Sequence, residues 1–180
     1  MTALDRLISI DAETNGLAGR AFAVAMTLSD PSGELDTFVR RCGIGEAVTN
    51  AWVADNVLPV ITDIPVNCPG GYPQMLAQIG MQIEKWGGRE IPLAAHVAWP
   101  VEARLLLDVY SHERVWEGPY PLYDVSSVLL AKGEPPLSVD DYLTRHGLPL
   151  PDGSPHHPLY DARRPSAASA TCSPRTEETT

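Results

Sequence analysis

The stretch Leu7-Ile8-Ser9-Ile10-Asp11-Ala12-Glu13-Thr14-Asn15-Gly16 joins a β-favouring run to a pair of acidic residues and a turn. Its first four residues favour a strand, and Asn-Gly is a strong turn signal. Because side chains alternate along a strand, we expect Asp11 and Glu13 on one face and Ala12 on the other. Two carboxylates at this spacing repel each other unless a cation joins them, and hard divalent cations prefer oxygen ligands. Alone, such a pair is more often a solvated strand end.

Two further extended segments follow this strand along the chain. Residues 21–29 alternate loosely in apolar residues, and residues 35–40 resume an extended pattern after the turn Asp30-Pro31-Ser32-Gly33. The pattern predicts three antiparallel strands joined by tight turns. Residues 48–73 contain four prolines and predict an irregular connection with one short helix around Trp52.

The second half of the chain alternates strands with helices. Met75, Ile79 and Ile83 recur every four residues, which predicts an amphipathic helix that ends at Gly87-Gly88. Further predicted elements are a strand at 91–96, a helix starting at Pro100, a strand at 122–124 and helices at 125–131 and 137–146. Such alternation predicts parallel βα units added to the antiparallel start, hence an α/β fold with a mixed sheet flanked by helices.

Composition limits the class of protein. The chain has 180 residues, enough for one domain, and we expect that domain at 1–162, followed by a disordered Ser/Thr/Pro-rich tail at 163–180. No apolar run approaches the ~20 residues of a membrane span, and the N-terminus lacks signal-peptide features, so a cytoplasmic protein is expected. Three scattered cysteines suggest neither disulfides nor a zinc site. The net charge of −10 opposes a broad electrostatic grip on nucleic acid.

A second group of candidate functional residues lies near the end of the chain, in His156-His157-Pro158-Leu159-Tyr160-Asp161-Ala162. If Pro158 starts a helix, Asp161 falls in its first turns and a histidine of the preceding loop folds back over it. A proton acceptor and a metal ligand would then stand together. Either histidine alone is more often a surface or loop residue.

These motifs resemble those of a known enzyme family. Residues 11–17 resemble the first motif of the DEDDh-type 3′→5′ exonucleases, and residues 156–162 resemble the third. Residues 137–148 are similar to the family's helix before the third motif, and residues 123–125 to its fifth-strand segment. The resemblance spans about residues 6–162 and implies a ribonuclease-H-like fold, similar to small stand-alone bacterial exoribonucleases.

The second motif departs from this family. The family places its metal-binding Asp five residues after a His, but Val101 stands at that position after His96, and Glu102 follows it. We take Glu102 as the substitute carboxylate, because it falls in the first turn of the helix after Pro100. The simpler interpretation is that Glu102 only complements the helix N-terminus. Asp108 is the rival ligand but lies nearly two turns further along.

The resemblance implies a metal-dependent 3′→5′ exonuclease with two Mg²⁺ or Mn²⁺ ions, held by Asp11, Glu13, Glu102 and Asp161. One ion would generate the attacking hydroxide and the other would stabilise the leaving oxygen. His156 is the expected general base, with His157 next in line. Asp124 is a candidate outer-shell or structural acid.

The expected partners are single-stranded or frayed 3′ ends of nucleic acid, with RNA favoured over DNA because small enzymes of this type often trim RNA. They also often form homodimers. Trp99 is a candidate wall for base stacking, or a core residue. The main alternative is a catalytically silent ribonuclease-H-like domain that binds nucleic acid ends or a protein partner. A polymerase proofreading subunit would need a docking segment, which we do not recognise. Pro165 is expected to truncate the last helix.

Overall fold

The computed structural model describes residues 5–44, 50–113, 118 and 121–169. Five strands within these residues form one sheet in the order β3-β2-β1-β4-β5. The strands are β1 (Leu7–Thr14), β2 (Ala21–Asp30), β3 (Gly33–Arg41), β4 (Leu93–Ala95) and β5 (Leu122–Asp124). Strand β2 runs antiparallel to β1 and β3, whereas β4 runs parallel to β1 and β5. The predicted α/β class and mixed sheet are confirmed.

Six α-helices flank the sheet in the described residues. They are α1 (Ala51–Asn56), α2 (Gly71–Trp86), α3 (Val101–Glu113), α4 (Val125–Ala131), α5 (Val139–Arg145) and α6 (Pro158–Ser169). The short helix predicted around Trp52 is confirmed as α1, and its N-cap Asn50 accepts a hydrogen bond from the Val53 amide at 3.3 Å. No helix among these residues combines the length and apolarity that a bilayer span needs. Cys42 and Cys68 are free thiols, and Cys172 lies outside the described residues.

Strand β1 divides its side chains between two packed layers. Ile8, Ile10 and Ala12 point into the main core, which they share with residues of α2 and α3. Ser9 points to the opposite face, where its hydroxyl lies 2.9 Å from that of Ser166 on α6. Asp11 and Glu13 follow Ser9 in the same alternation, so they also face α6. The acidic pair is therefore directed toward the helix that carries Asp161.

The expectation that Pro165 truncates the last helix is wrong, because α6 continues to Ser169. The ordered fold thus extends past the predicted boundary at 162, and residues 163–169 are helical. Residues 170–180 of the expected tail lie outside the described residues. Proline removes one backbone donor, which in a helix would bind the carbonyl of the residue four positions earlier, Asp161. Contacts on either side of the proline compensate for that single loss.

The contacts that hold α6 on both sides of Pro165 are polar. Arg163 donates two hydrogen bonds to Glu34 of β3, at 2.8 and 3.0 Å. The Ser166 hydroxyl lies within hydrogen-bonding distance of three hydroxyls of the sheet, on Ser9, Thr27 and Ser29, at 2.9, 3.4 and 3.1 Å. Tertiary contacts of this kind override the poor helix propensity of proline.

We predict that Ser166→Ala lowers the free energy of unfolding by about 1–3 kcal/mol, because buried hydroxyls of the sheet lose a partner. Urea denaturation followed by circular dichroism measures this loss. Ser32→Ala is the matched control, since Ser32 is exposed in the β2–β3 turn and its hydroxyl bonds to the nearby Asp30. Equal losses in both variants would show that the Ser166 cluster does not anchor α6.

Candidate metal site

Three carboxylates meet near the end of β1. Asp11, Glu13 and Asp161 each offer one ligand atom, and these atoms lie within 4.8 Å of one another. Asp11 and Glu13 are half-buried on β1, whereas Asp161 is buried in the first turn of α6. The packing of α6 on β1 and β2 brings the two halves of the group together. Acidic side chains so close to one another make an oxygen-only site of the kind that Mg²⁺ and Mn²⁺ prefer.

Glu102 approaches the same strand from α3. It lies in the first turn of that helix and is buried, and its Oε1 accepts a hydrogen bond from the Ala12 amide at 3.2 Å. Ala12 stands between Asp11 and Glu13, so the Glu102 carboxylate abuts the acidic pair. Its place in the first turn of α3 also fits the simpler interpretation of a group that complements the helix N-terminus.

The four carboxylates shift one another's protonation. Burial raises the pKa of Asp11, and the charges of Asp161, Glu102 and Glu13 raise it further. Burial together with Asp161 and Glu102 raises the pKa of Glu13 to about 8, and burial raises that of Glu102 to about 8. Burial also raises the pKa of Asp161. Such mutual repulsion is relieved either by protons or by bound cations.

Asp161 already has two neighbours within its own segment. Its Oδ2 accepts a hydrogen bond from the His156 amide at 2.9 Å, and its Oδ1 lies 2.7 Å from Nη2 of Arg164. Despite this short distance the Arg164 contact lacks hydrogen-bond geometry, and Oδ1 is a buried oxygen with no hydrogen-bond donor among the described residues. It therefore has a free lone pair for a metal ion.

Sequence reasoning missed Arg164 and the two residues that hold it, Tyr160 and Asp140. The Tyr160 hydroxyl donates a hydrogen bond to Asp140 of α5 at 3.0 Å, and Arg164 lies 3.6 Å from the same carboxylate. The available signal was the spacing of three residues between Asp161 and Arg164, which brings the two side chains together on a helix. The contact with Asp140 had no such signal, because it depends on the packing of α5 against α6.

The two histidines before α6 have different surroundings. His156 is exposed and adopts a left-handed backbone with φ +66°. Its ring contacts that of Trp52 of α1 in a T-shaped arrangement, with 4.9 Å between the ring centroids. Both ring nitrogens of His157 have neighbours. Its Nδ1 accepts a hydrogen bond from the Leu159 amide at 3.3 Å, and its Nε2 lies 3.4 Å from Oδ1 of Asp63. Of these two histidines, His156 is the more exposed.

Other acidic and histidine residues named from the sequence have structural partners. Asp124 is the N-cap of α4, accepting from the Ser126 amide at 3.1 Å, and it also accepts from the Val97 amide at 3.0 Å. It orders the loop that leads to α3. Asp108 accepts a hydrogen bond from the Tyr72 hydroxyl at 2.7 Å. His96 bonds to the Pro136 carbonyl oxygen at 2.9 Å, and burial lowers its pKa.

A cavity of about 310 Å³ opens beside Glu13. Its apolar walls include Leu17, Trp52 and Val101. Trp99, the wall candidate from the sequence, is 75% exposed and does not line this cavity. The difference follows from the path of the chain, because Trp52 and Val53 of α1 line this cavity.

Comparison with solved structures gives the fold a name. The chain is similar to the nuclease domain of 3′hExo, described as a DEDDh family member bound to rAMP, with a TM-score of 0.67, 15% identity and 94% of each chain covered. The fold is that of the DEDDh exonucleases. A 3′-exonuclease solved for its 3′-end recognition of a histone mRNA stem-loop aligns with a TM-score of 0.63 and 15% identity, covering 96% of this chain and 67% of that one. The ribonuclease-H-like fold implied by the motifs is thereby confirmed.

A larger structural neighbour is the moderately thermophilic exonuclease I from Methylocaldum szegediense, with a TM-score of 0.68 and 14% identity. The alignment covers 96% of this chain but only 41% of that one, so this chain spans about two fifths of its length. No protein-family model matches the sequence, and no curated protein matches it. Because these identities are low, the comparisons establish the fold of this chain but not its activity. The activity has to be inferred from the residues of the site.

We predict that the metal-free protein loses thermal stability as the pH rises from 4.5 to about 8, because Glu13 and Glu102 have pKa values raised across this range. In that window the folded protein binds more protons than the unfolded chain, so the free energy of unfolding falls with increasing pH. Thermal melts in EDTA at several pH values measure the slope. Glu13→Gln should flatten it, whereas Glu90→Gln, at an exposed glutamate, should leave it unchanged. A melting temperature that increases with pH in this range would contradict the prediction.

Proposed function

We propose that this chain is a metal-dependent 3′→5′ exonuclease that hydrolyses the terminal phosphodiester bond of nucleic acid. The observation that carries the proposal is the acidic group of Asp11, Glu13 and Asp161, with Glu102 beside it, in a fold shared with DEDDh exonucleases. Buried like charges are costly, and a fold retains them where a cation is to be bound.

Two ions of Mg²⁺ or Mn²⁺ fit these residues. The donors are all carboxylate oxygens, and the buried Oδ1 of Asp161 has no hydrogen-bond donor in the described residues. Asp11, Glu13, Glu102 and Asp161 would hold the ions. When bound, the pair would supply positive charge for the scissile phosphate and Lewis acidity for water and the leaving oxygen. The protein supplies a fixed, largely buried arrangement of ligands.

His156 is the proposed general base. Its ring is exposed and contacts Trp52, and its amide donates a hydrogen bond to Asp161, which supports a role for this residue beside the acidic group. A neutral imidazole can accept a proton from water, which is the task of a general base. The hydrogen bond from its amide to Asp161 couples the position of the base to that of a proposed metal ligand.

The cavity beside Glu13 is the proposed binding site of the 3′-terminal nucleotide. Leu17 and Trp52 offer an apolar and aromatic surface against which a base can stack, and Glu13 places that surface next to the proposed ions. Neighbours of the same fold have been solved with rAMP, with a histone mRNA stem-loop and with a dT13 oligonucleotide. The resemblance of its sequence motifs to those of bacterial exoribonucleases favours RNA.

The partners are short or frayed single-stranded 3′ ends. With a net charge of −10 the chain has few cations to bind an extended phosphate backbone, so affinity should depend on the last few nucleotides. We also propose that the chain forms a homodimer, as small enzymes of this type often do. The buried free thiols Cys42 and Cys68 suit a reducing compartment such as the cytoplasm.

The second candidate function is a catalytically silent domain that binds nucleic acid ends or a protein partner. The altered second motif supports it, because the Glu102 carboxylate already accepts a hydrogen bond from the Ala12 amide. Metal titration distinguishes the two functions. Two divalent sites with hydrolysis indicate the enzyme, and the absence of both sites indicates the binding module.

The activity is tested with matched RNA and DNA oligonucleotides labelled at the 5′ end, incubated with Mg²⁺, with Mn²⁺ or with EDTA. We expect stepwise shortening from the 3′ end, faster on RNA, and none in EDTA. Affinity should level off beyond a few nucleotides and depend weakly on KCl. Cleavage in EDTA at the rate seen with metal would refute the mechanism. A steep dependence of the affinity on KCl would indicate a basic track along the surface.

We predict that Glu102→Gln reduces turnover far more than Asp108→Asn. Glutamine retains an oxygen that accepts from the Ala12 amide but removes the charge next to the acidic group, whereas Asp108 bonds only with Tyr72 among the contacts resolved for it. The variants make the same chemical change on one helix, which makes them matched. Wild-type turnover of Glu102→Gln at saturating Mg²⁺ would falsify the assignment of Glu102 as the third ligand.

We predict that His156→Asn lowers turnover by ~10²–10⁴, the usual contribution of a positioned general base, with metal affinity nearly unchanged. His157→Asn should have a smaller effect on turnover and a larger one on thermal stability, because the His157 ring contacts Leu159 and Asp63. Single-turnover kinetics and Mn²⁺ titration of both variants measure these effects. The reverse order of turnover would assign the base to His157.

A further inference from the structure

Arg164 is a cation held inside the acidic site. It follows Asp161 by one turn of α6, and its side chain is only 16% exposed. Nη2 lies 2.7 Å from Asp161 Oδ1, and Nη1 lies 3.6 Å from Asp140 Oδ1. The guanidinium carbon lies 5.6 Å from the centroid of the Tyr160 ring. The group is therefore confined between two carboxylates and an aromatic ring.

The contact with Asp161 is electrostatic and lacks directed hydrogen bonds. Arg164 Nε, Asp161 Oδ1 and Asp140 Oδ1 are all buried atoms without a hydrogen-bond partner in the described part of the chain. An arginine that forms a bidentate pair with a carboxylate fixes it strongly. Arg164 lacks that geometry, so its place beside Oδ1 can be taken by another cation at small cost.

Arg164 acts on the whole acidic group. Burial raises the pKa values of Asp11, Glu13 and Asp161, and the positive charge of Arg164 lowers all three. The same charge that offsets carboxylate repulsion in the metal-free protein also repels an incoming divalent ion. Stability without metal and affinity for metal thus depend on one side chain in opposite directions.

We infer that Arg164 is a positioning residue that holds Asp161 in the metal-free protein and competes with a divalent cation for its Oδ1, so that it limits the cation affinity of the site. The inference rests on the proposed metal-dependent function. Asp140 and Tyr160 serve as the anchor that keeps the guanidinium near the site after Asp161 has exchanged its partner.

The test is Mn²⁺ binding measured by calorimetry, together with thermal melts in EDTA. Arg164→Gln should bind Mn²⁺ about tenfold more tightly and melt at a lower temperature without metal. Arg163→Gln is the matched control: it removes the same charge from the adjacent residue, whose partner is Glu34 of β3. Its Mn²⁺ affinity should stay within about twofold of the wild type. Arg164→Lys keeps the charge and should bind Mn²⁺ as the wild type does.

Equal or weaker Mn²⁺ binding by Arg164→Gln, or a gain of the same size in Arg164→Lys or Arg163→Gln, overturns the inference while leaving the proposed function intact. If neither the wild type nor Arg163→Gln binds Mn²⁺ or Mg²⁺, the proposed function fails and this inference fails with it. Should Arg164→Gln not fold, Arg164→Met carries the same expectation, because its apolar stem can still cover the ring of Tyr160.

Discussion

Repulsion between carboxylates at the end of β1 is the constraint around which this molecule is arranged. Asp11 and Glu13 cannot move apart, because both are fixed by the register of a central strand that pairs with β2 and β4. Asp161 cannot withdraw while α6 packs on β1 and β2. The fold therefore has to offset the repulsion locally, with protons, with the guanidinium of Arg164 or with bound cations.

The helix that brings in Asp161 shows how tertiary contacts decide local structure. A proline in its middle removes one backbone hydrogen bond, but the hydroxyls around Ser166 and the pair between Arg163 and Glu34 hold the helix on both sides. Ala168, further along α6, belongs to a second apolar cluster with residues of α4 and α5. Continuity of α6 past Pro165 thus links the acidic site to that cluster.

The fold and the acidic pair were accessible from the sequence because both depend on local periodicity. Alternation in β1 places Asp11 and Glu13 on one face, and Pro158 marks the start of the helix that carries Asp161. The contact of Arg164 with Asp140 was not accessible, because it depends on how α5 packs against α6. The cavity wall was also missed, because the choice of Trp52 over Trp99 depends on the path of long loops.

The two edge strands of the sheet affect how copies of this protein can associate. One edge strand is β3, which carries charged side chains at Glu34, Asp36, Arg40 and Arg41. The other edge strand is β5, which has only three residues. Charged or very short outer strands discourage sheet extension between molecules. Two copies of this protein would therefore be expected to associate through helices or loops. The charges on β3 also disfavour amyloid-like stacking of this strand between molecules.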